Sequence, residues 1–218
     1  MFHDIEGFRI WINIVLDIMH DIYEGIGNFL MAHLCHDLIS KGLFNVDYLN
    51  ERKLKASQDI SEVARIRPIK YEHVFVEKHL KMSASKTLYF IKYFGILVGH
   101  RVNTNDDSWK CYILFRRILD IINSPSVIEE HILELESLIS HFPTVYIELY
   151  GLLTIKAHNM IHLSRVIRQM GPVVHFSTMR YKSSHRCLKL SSITSANRMN
   201  LSKTISSEAN CLSLICDS

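Results

Sequence analysis

The residues best suited to chemistry lie in one short stretch, Asp17-Ile18-Met19-His20-Asp21-Ile22-Tyr23-Glu24-Gly25. Four of its side chains are spaced i, i+3, i+4 and i+7, which predicts that they share one narrow face of an α-helix. These residues are Asp17, His20, Asp21 and Glu24. Carboxylates and an imidazole on one face can bind a divalent metal, whereas most charged faces are simply exposed to water. The pattern alone leaves both interpretations open.

The helix that carries this stretch is predicted to run from about Trp11 to Lys41, where Gly42 stops it. Opposite the acidic face lies a broader apolar face, which is expected to pack into the core. Its members are Ile18, Ile22, Tyr23, Ile26, Phe29 and Leu30. Gly25 and Gly27 lower the helix propensity and predict a weak point or kink. Burial of the apolar face would therefore position the acidic one.

Two other groups of residues have the types found in metal sites. His158 and His162 are spaced i, i+4 on a predicted helix, but a zinc-protease motif needs Glu after the first His, and Asn159 stands there. A second cluster comprises His33, Cys35, His36 and Asp37. Its adjacent residues point in different directions and no second pair has zinc-finger spacing, which argues against a structural zinc site. Neither group predicts a metal centre.

Length and composition favour a mainly helical protein. With 218 residues and 48% hydrophobic content, the chain can bury a sizeable core. Four prolines and eight glycines leave few obligatory breaks, which favours helices over a β fold with many turns. We therefore predict a mainly α fold, a helical bundle with little strand. Residues 1–155 are predicted as a helical domain that includes the acidic helix, and 156–218 as a basic helical segment packed on the same core.

Local signals predict where several helices begin and end. The predicted N-caps are Asn45, Ser83, Asp106 or Asp107, and Ser126 in a capping box with Glu129. Pro143 is expected to break or kink the helix that follows Ser126. Gly171-Pro172 ends a helix that begins near Ile155, and further helices are predicted over 176–190 and 200–214. The polar stretch 56–67 shows no periodicity and is predicted to be a mobile connection.

The charges are distributed unevenly along the chain. Residues 1–50 contain seven acids and two bases, whereas 156–203 contain nine bases and neither Asp nor Glu. A basic block of this kind is typical of a surface that binds a polyanion. The same block can instead dock on the acidic N-terminal part of the chain, and both interpretations remain open.

The remaining composition bears on the compartment. No apolar run approaches the roughly 18–20 residues that a membrane-spanning helix needs, so no membrane partner is expected. The five cysteines are odd in number and scattered, which argues against a disulfide framework. A reducing compartment, nucleus or cytoplasm, is therefore predicted.

Four stretches taken together resemble transposon-encoded proteins of animal genomes. They are Asp17 to Gly25, Lys81-Met82-Ser83-Ala84-Ser85, Lys156-Ala157-His158-Asn159-Met160-Ile161-His162, and Ile167 to Pro172 continued by Met179 to His185. The proteins they resemble belong among the Asp-Asp-Glu transposases, whose core is an RNase H-like sheet interrupted by a helical insertion. The similarity covers nearly the whole chain in order. It implies that the chain comprises mostly the insertion and the C-terminal helices of that core.

The resemblance also implies where the functional positions of that family fall. The matching positions are Asp17 and His20 of an Asp-x-x-His signature, and Met179, Arg180, Tyr181 and His185 of a later helix. In that later helix the position of the third catalytic acid is occupied by Lys182. Two-metal phosphoryl transfer needs carboxylates to hold the cations, and a lysine ammonium repels them. The resemblance further implies that the first two catalytic acids would lie upstream of Met1, so no intact catalytic site is expected.

We therefore expect a transposase-derived fragment that is catalytically inactive and has no resident cofactor. Mg²⁺ would be required only by an intact, longer form of the protein. DNA or RNA is the expected partner, bound by Arg165, Arg168, Arg180, Lys182, Arg186 and Lys189 within the basic segment 156–203. The alternatives are a helical protein–protein interaction module and a metal-dependent DNA-cleaving transposase whose missing acids lie upstream. Self-association is expected because a strand over 173–176 would lack its partners in the sheet.

Overall fold

A computed structural model describes residues 17–178 of the chain, apart from Leu152 and Thr154. The helices predicted over 176–190 and 200–214 lie almost wholly outside the described residues. So do five candidate site residues, Arg180, Lys182, His185, Arg186 and Lys189. Within the described part all regular structure is helical, which confirms the predicted mainly α, helical-bundle class.

The described chain begins with a π-helix, Met19–Ile26, and continues through nine α-helices. They are α1 Gly27–Ser40, α2 Val46–Ala56, α3 Ser61–Ala64, α4 Tyr71–Phe75, α5 Ala84–Val98, α6 Asp107–Ile122, α7 Glu129–Tyr150, α8 Ile155–His158 and α9 Leu163–Met170. Short 3₁₀ turns cover Gly99–Arg101, Asn159–His162 and Val173–His175.

The π-helix lies at the centre of the bundle and packs against α1, α5 and α8, while α6 and α7 form a tightly packed pair. The apolar face predicted for the first helix is buried, with Phe29 only partly so. Aromatic side chains fill the space between α5, α6 and α7. Phe94 meets Tyr112 edge to face at 5.5 Å between ring centroids, and Phe115 lies 5.1 Å from Phe142. This core fixes the surface on which the candidate site lies.

The helix ends follow local chemistry in most places. The Asn45 and Asp106 side chains accept hydrogen bonds from the amides of Tyr48 and Trp109, so both predicted caps are confirmed. Ser83 is the N-cap residue of α5, although its side chain makes no cap hydrogen bond. The capping box at Ser126 is wrong: α7 has Ile128 as its N-cap residue, so Ser126 stands too early to cap it.

Three other local predictions are corrected by the structure. The stretch 56–67 contains α3 and buries Val63, so it is partly ordered by packing and is not simply a mobile connection. The break predicted at Pro143 is wrong, since α7 continues through it to Tyr150 with Phe142 and Tyr146 buried on either side; the alternative, a kink, stays a prediction. The strand expected over 173–176 is a 3₁₀ turn, so the argument for self-association from missing sheet partners fails.

The helices up to Phe176 belong to one compact unit, and a second unit begins at Ser177. Since α8 and α9 belong to the first unit, the part of the predicted basic segment before Ser177 lies in this unit. The division of the chain between residues 155 and 156 stays a prediction. In the part of the chain that the structure describes, no helix is long and apolar enough to cross a membrane.

Candidate functional site

The candidate site is built on a distortion of the first helix. At Gly25 the backbone leaves the helical region, with φ −92° and ψ −112°. The Gly27 amide donates to the carbonyl of Ile22, five residues back, which is the hydrogen-bond pattern of a π-helix. The sequence predicted a kink at Gly25 and Gly27, and the structure places it at Gly25. A π-helix turns through a smaller angle per residue than an α-helix. Side chains spaced i, i+3, i+4 and i+7 therefore no longer share one narrow face.

The acidic face is divided into two parts as a result. His20 lies between two carboxylates: its Nδ1 contacts Asp17, and its Nε2 is 3.8 Å from Glu24. The His20 side chain is 50% exposed, more than either carboxylate. Asp21 instead accepts a hydrogen bond of 3.1 Å from the side chain of Asn159. The four residues therefore do not converge on one point.

Glu24 joins this cluster to the start of α5. One of its carboxylate oxygens lies 3.3 Å from the amide of Ala84, the first residue of that helix, and accepts its hydrogen bond. A carboxylate at a helix N-terminus satisfies a free amide and interacts favourably with the helix dipole. Glu24 therefore has a structural role at a position where the sequence suggested metal chemistry.

Asn28 is a fully buried polar residue that fastens the same region together. Its side-chain oxygen accepts from the amide of Met82 at 2.9 Å, and its side-chain nitrogen donates to the carbonyls of Tyr23 and Met82 and to the hydroxyl of Thr87. The Asn28 side chain thus satisfies both the amide and the carbonyl of Met82, which lies outside any helix and has no intrahelical hydrogen-bond partners. Asn28 thereby holds the loop before α5 against the π-helix.

Gly27 allows the close approach that these bonds require. A Cβ atom at this position would lie 2.9 Å from the Ile22 carbonyl oxygen and 3.2 Å from side-chain atoms of both Thr87 and Ile91. Glycine is therefore needed where α1 passes α5.

Three of the four stretches that carry the resemblance thus meet in space. Most of the stretch from Asp17 to Gly25 lies in the π-helix. Lys81 to Ser85 is bound to this stretch through Glu24 and to α1 through Asn28, and Lys156 to His162 contacts it through Asn159. The last contact joins residues 138 positions apart in the chain. Part of the fourth stretch, from Ile167 to Pro172, covers the end of α9.

The other ligand-like residues are engaged in packing. The His33 ring stacks on Tyr150 at 4.9 Å, and burial lowers the pKa of this histidine. Cys35 is fully buried, which raises the pKa of its thiol, and Asp37 accepts a hydrogen bond from Ser108. Across the described residues, no group of three or more His, Cys, Asp or Glu side chains is placed to hold a metal ion.

Only two of the six predicted nucleic-acid-binding residues lie in the described part, and both are on α9. Arg168 forms ion pairs with Glu129 at 2.7 Å and with Glu136 on α7, and these carboxylates raise its pKa. A phosphate would have to compete with both glutamates for this guanidinium. Arg165 lies on the same helix and also makes an interaction within the protein.

The sequence analysis missed several polar residues that organise the surface beside this site. They are Asn28, Asn50 and Lys53. Asn28 carried a usable signal, because it is a single polar residue within the apolar run that follows Gly25. No comparable signal marks the other two, whose partners Ile69 and Arg67 lie just beyond and at the end of the stretch that showed no periodicity. In comparisons with known proteins, no family model, curated protein or solved structure matches the chain.

Proposed function

We propose that this chain is a transposase-derived protein that has lost catalytic activity and binds nucleic acid through its basic segment, 156–203. The observation that carries the proposal is the meeting of three motif stretches, from 17–25, 81–85 and 156–162, around one π-helix. The three stretches resemble one family in sequence and also lie together in space. This supports the derivation of the chain from that family.

The state of the candidate acids supports the loss of catalysis. Glu24 caps α5, Asp21 binds Asn159, and Asp17 contacts His20, so each carboxylate has a partner within the protein. At the position that resembles the third catalytic acid the chain has Lys182. A cation there favours holding a phosphate over coordinating the metals that would cleave it.

We expect the purified chain to produce no cleavage of a labelled DNA duplex in the presence of Mg²⁺ or Mn²⁺. The reason is that a lysine replaces a metal-binding carboxylate and the acids Asp17, Asp21 and Glu24 are engaged in other contacts. The measurement is a gel assay of duplex integrity over time, run beside the Asp17→Ala variant. Cleavage by the wild type that disappears in Asp17→Ala would show an active metal-dependent enzyme, which is the alternative function.

We expect the same chain to bind duplex DNA in a salt-dependent manner, and the triple variant Arg180→Glu, Arg186→Glu, Lys189→Glu to lose that binding. Each cation that contacts a phosphate releases a counterion, so the logarithm of the affinity should fall linearly with the logarithm of salt concentration, by roughly 0.9 per phosphate contact. Fluorescence anisotropy with a labelled duplex at several salt concentrations measures both quantities.

The variant Lys55→Glu, Lys92→Glu, Lys110→Glu provides the matched control, because it changes the formal charge by the same amount at exposed positions outside the basic segment. A triple variant that folds normally and binds as tightly as the wild type would contradict the proposed function. A triple variant that fails to fold would instead favour the docking of the basic segment on acidic residues of the chain.

A further inference from the structure

A cavity of about 560 Å³ opens between the loop before α5 and the segment before α4. We call it the basic cleft. Its charged and titratable lining residues are Arg67, Lys70, His73, Lys81 and Lys86. Among the described residues neither Asp nor Glu lines it, and its remaining surface includes the apolar residues Pro68, Ile69 and Leu80. The cleft therefore combines a concentration of positive charge with apolar surface in a concave site.

Most of this positive charge has no ion-pair partner in the part of the chain that the structure describes. Among the described residues, Arg67, Lys70 and Lys86 form no ion pair, whereas Lys81 pairs with Glu77 at 2.6 Å. Arg67 and Lys70 are exposed and Lys86 is half-buried, so their charged groups can reach a ligand in the cleft. Like charges around a cavity without a counter-ion favour an anionic occupant.

One wall of the cleft is held by Asn28. This wall consists of Lys81 to Ser83, and the Asn28 side chain bonds both the amide and the carbonyl of Met82 within it. Lys81 has a positive φ of 51°, a conformation that an L-residue adopts only at a cost in energy. The two hydrogen bonds to the neighbouring residue hold the wall in this conformation.

The opposite wall is held in the same way by a second asparagine. The Asn50 side chain bonds both the amide and the carbonyl of Ile69, each at 2.9 Å. Next to it, the buried Lys53 donates to the carbonyl of Arg67 at 2.7 Å. Both walls are thus fixed from behind by polar side chains, of which Asn28 and Lys53 are buried and Asn50 is half-buried. The backbone that carries Arg67 and Lys70 is therefore already ordered, which lowers the conformational entropy lost when a ligand binds.

We propose that the basic cleft binds the phosphate backbone of a nucleic acid, with Arg67, Lys70 and Lys86 contacting phosphates and the apolar lining contacting the sugar or base. This inference rests on the proposed function and adds to it a second contact surface, separate from the segment 156–203. The breadth of the cleft and its apolar lining suit a nucleotide better than an isolated phosphate ion. Phosphate contacts of this kind bind without reading sequence.

The test uses the full chain and the triple variant Arg67→Glu, Lys70→Glu, Lys86→Glu. The control variant Lys55→Glu, Lys92→Glu, Lys110→Glu carries the same formal charge, with all three changes on exposed positions outside the cleft. Anisotropy with a labelled duplex at several salt concentrations should show, at each of them, a loss of affinity of about tenfold or more in the cleft variant only, with a shallower salt slope. Thermal melting establishes that each variant is folded.

The possible outcomes separate this inference from the proposed function. Equal affinities for the cleft and control variants, with binding still abolished by the changes at Arg180, Arg186 and Lys189, would overturn the cleft and leave the proposed function standing. A wild type that binds no nucleic acid even at low salt would overturn both. Should the cleft variant fail to fold, the double variant Lys70→Gln, Lys86→Gln replaces it. The same loss of affinity and the same shallower salt slope are expected. An affinity of the double variant equal to that of the control variant would overturn the cleft.

A further arm of the experiment distinguishes a nucleic-acid backbone from a free phosphate. Inorganic phosphate is added at constant ionic strength as a competitor of the labelled duplex. We expect millimolar phosphate to leave the duplex bound, because a single ion contacts only part of the cleft. Phosphate binding by the wild type that the cleft changes abolish, measured by calorimetry, together with a duplex affinity that the same changes leave equal to the control, would assign the cleft to a small anion and contradict the proposal.

Discussion

Replacement of Asn28 by alanine is expected to lower the free energy of unfolding by about 4 kcal/mol, close to the largest effects of single substitutions. The Asn28 side chain is fully buried and bonds backbone groups of Tyr23 and Met82 and the hydroxyl of Thr87. Alanine removes all of these bonds and takes away the side-chain partner of the half-buried amide and carbonyl of Met82. A buried polar group that loses its partner costs roughly 1–3 kcal/mol.

Urea unfolding followed by circular dichroism measures this change, and Asn105→Ala supplies the control. Asn105 is exposed, so its replacement should change the free energy of unfolding by less than about 0.5 kcal/mol. Asn28→Asp should be at least as damaging as Asn28→Ala, because a carboxylate cannot donate to the three acceptors and adds a buried charge. An Asn28→Ala variant as stable as the wild type would show that these bonds do not hold the loop before α5.

The second large effect is a dependence of stability on pH that arises from Lys53. This side chain is only 6% exposed, has no carboxylate partner among the described residues, and donates to the carbonyl of Arg67. Burial lowers the pKa of Lys53 from its usual 10.5 to about 8. The charged form is therefore disfavoured in the folded protein relative to the unfolded chain.

The sign of the pH dependence follows from proton binding. Between pH 8 and 10.5 the unfolded chain keeps a proton on Lys53 and the folded protein has released it. Because the unfolded state then binds more protons, the free energy of unfolding rises with pH across this window. Below pH 8 both states are protonated and the contribution of Lys53 is constant. The shift corresponds to a total of about 3 kcal/mol.

The Lys53→Met variant isolates this contribution, because methionine fills a similar volume and does not titrate. Other groups also titrate in this range, so the informative quantity is the difference in unfolding free energy between wild type and variant. That difference should move in favour of the wild type by about 3 kcal/mol from pH 7.5 to 10.5. A constant difference across this range would show that Lys53 keeps an ordinary pKa. Lys55→Met, at an exposed position, should show little such change.

These two residues connect the stability of the fold to the proposed cleft. Asn28 holds the wall that contains Met82, and Lys53 with Asn50 holds the wall that contains Arg67 and Ile69. Polar groups buried at this cost are retained where they specify a particular backbone arrangement. The same backbone segments present the cations that we propose to contact phosphate.

Much of the helical architecture followed from local sequence. The period of the apolar residues predicted the buried face of the first helix, which includes Ile22 and Tyr23. The caps at Asn45 and Asp106 and the helix end at Gly171, which has a φ of +81°, were also predictable. Each of these depends on interactions between residues a few positions apart, and the chemistry of those residues is visible in the sequence.

The failures share a different cause. The capping box at Ser126 and the break at Pro143 were also local signals, but α7 begins after Ile128 and continues through Pro143, with Phe142 and Tyr146 buried on either side of the proline. The stretch 56–67 lacks periodicity, yet Val63 in α3 is completely buried. Burial of a few apolar side chains outweighs a weak local preference, and which side chains are buried depends on distant parts of the chain.

By itself the sequence determined the helical class, the position of the weak point near Gly25, and the uneven distribution of charge. Only the tertiary structure decided what the polar residues do. The π-helix divides the predicted acidic face, so that Asp21 meets Asn159 while Glu24 caps α5, and Arg67 comes to face Lys86 across a cleft. The periodicity of apolar residues predicts which face of a helix is buried. A hydrogen bond between residues distant in the chain depends instead on how whole helices pack, which local spacing does not predict.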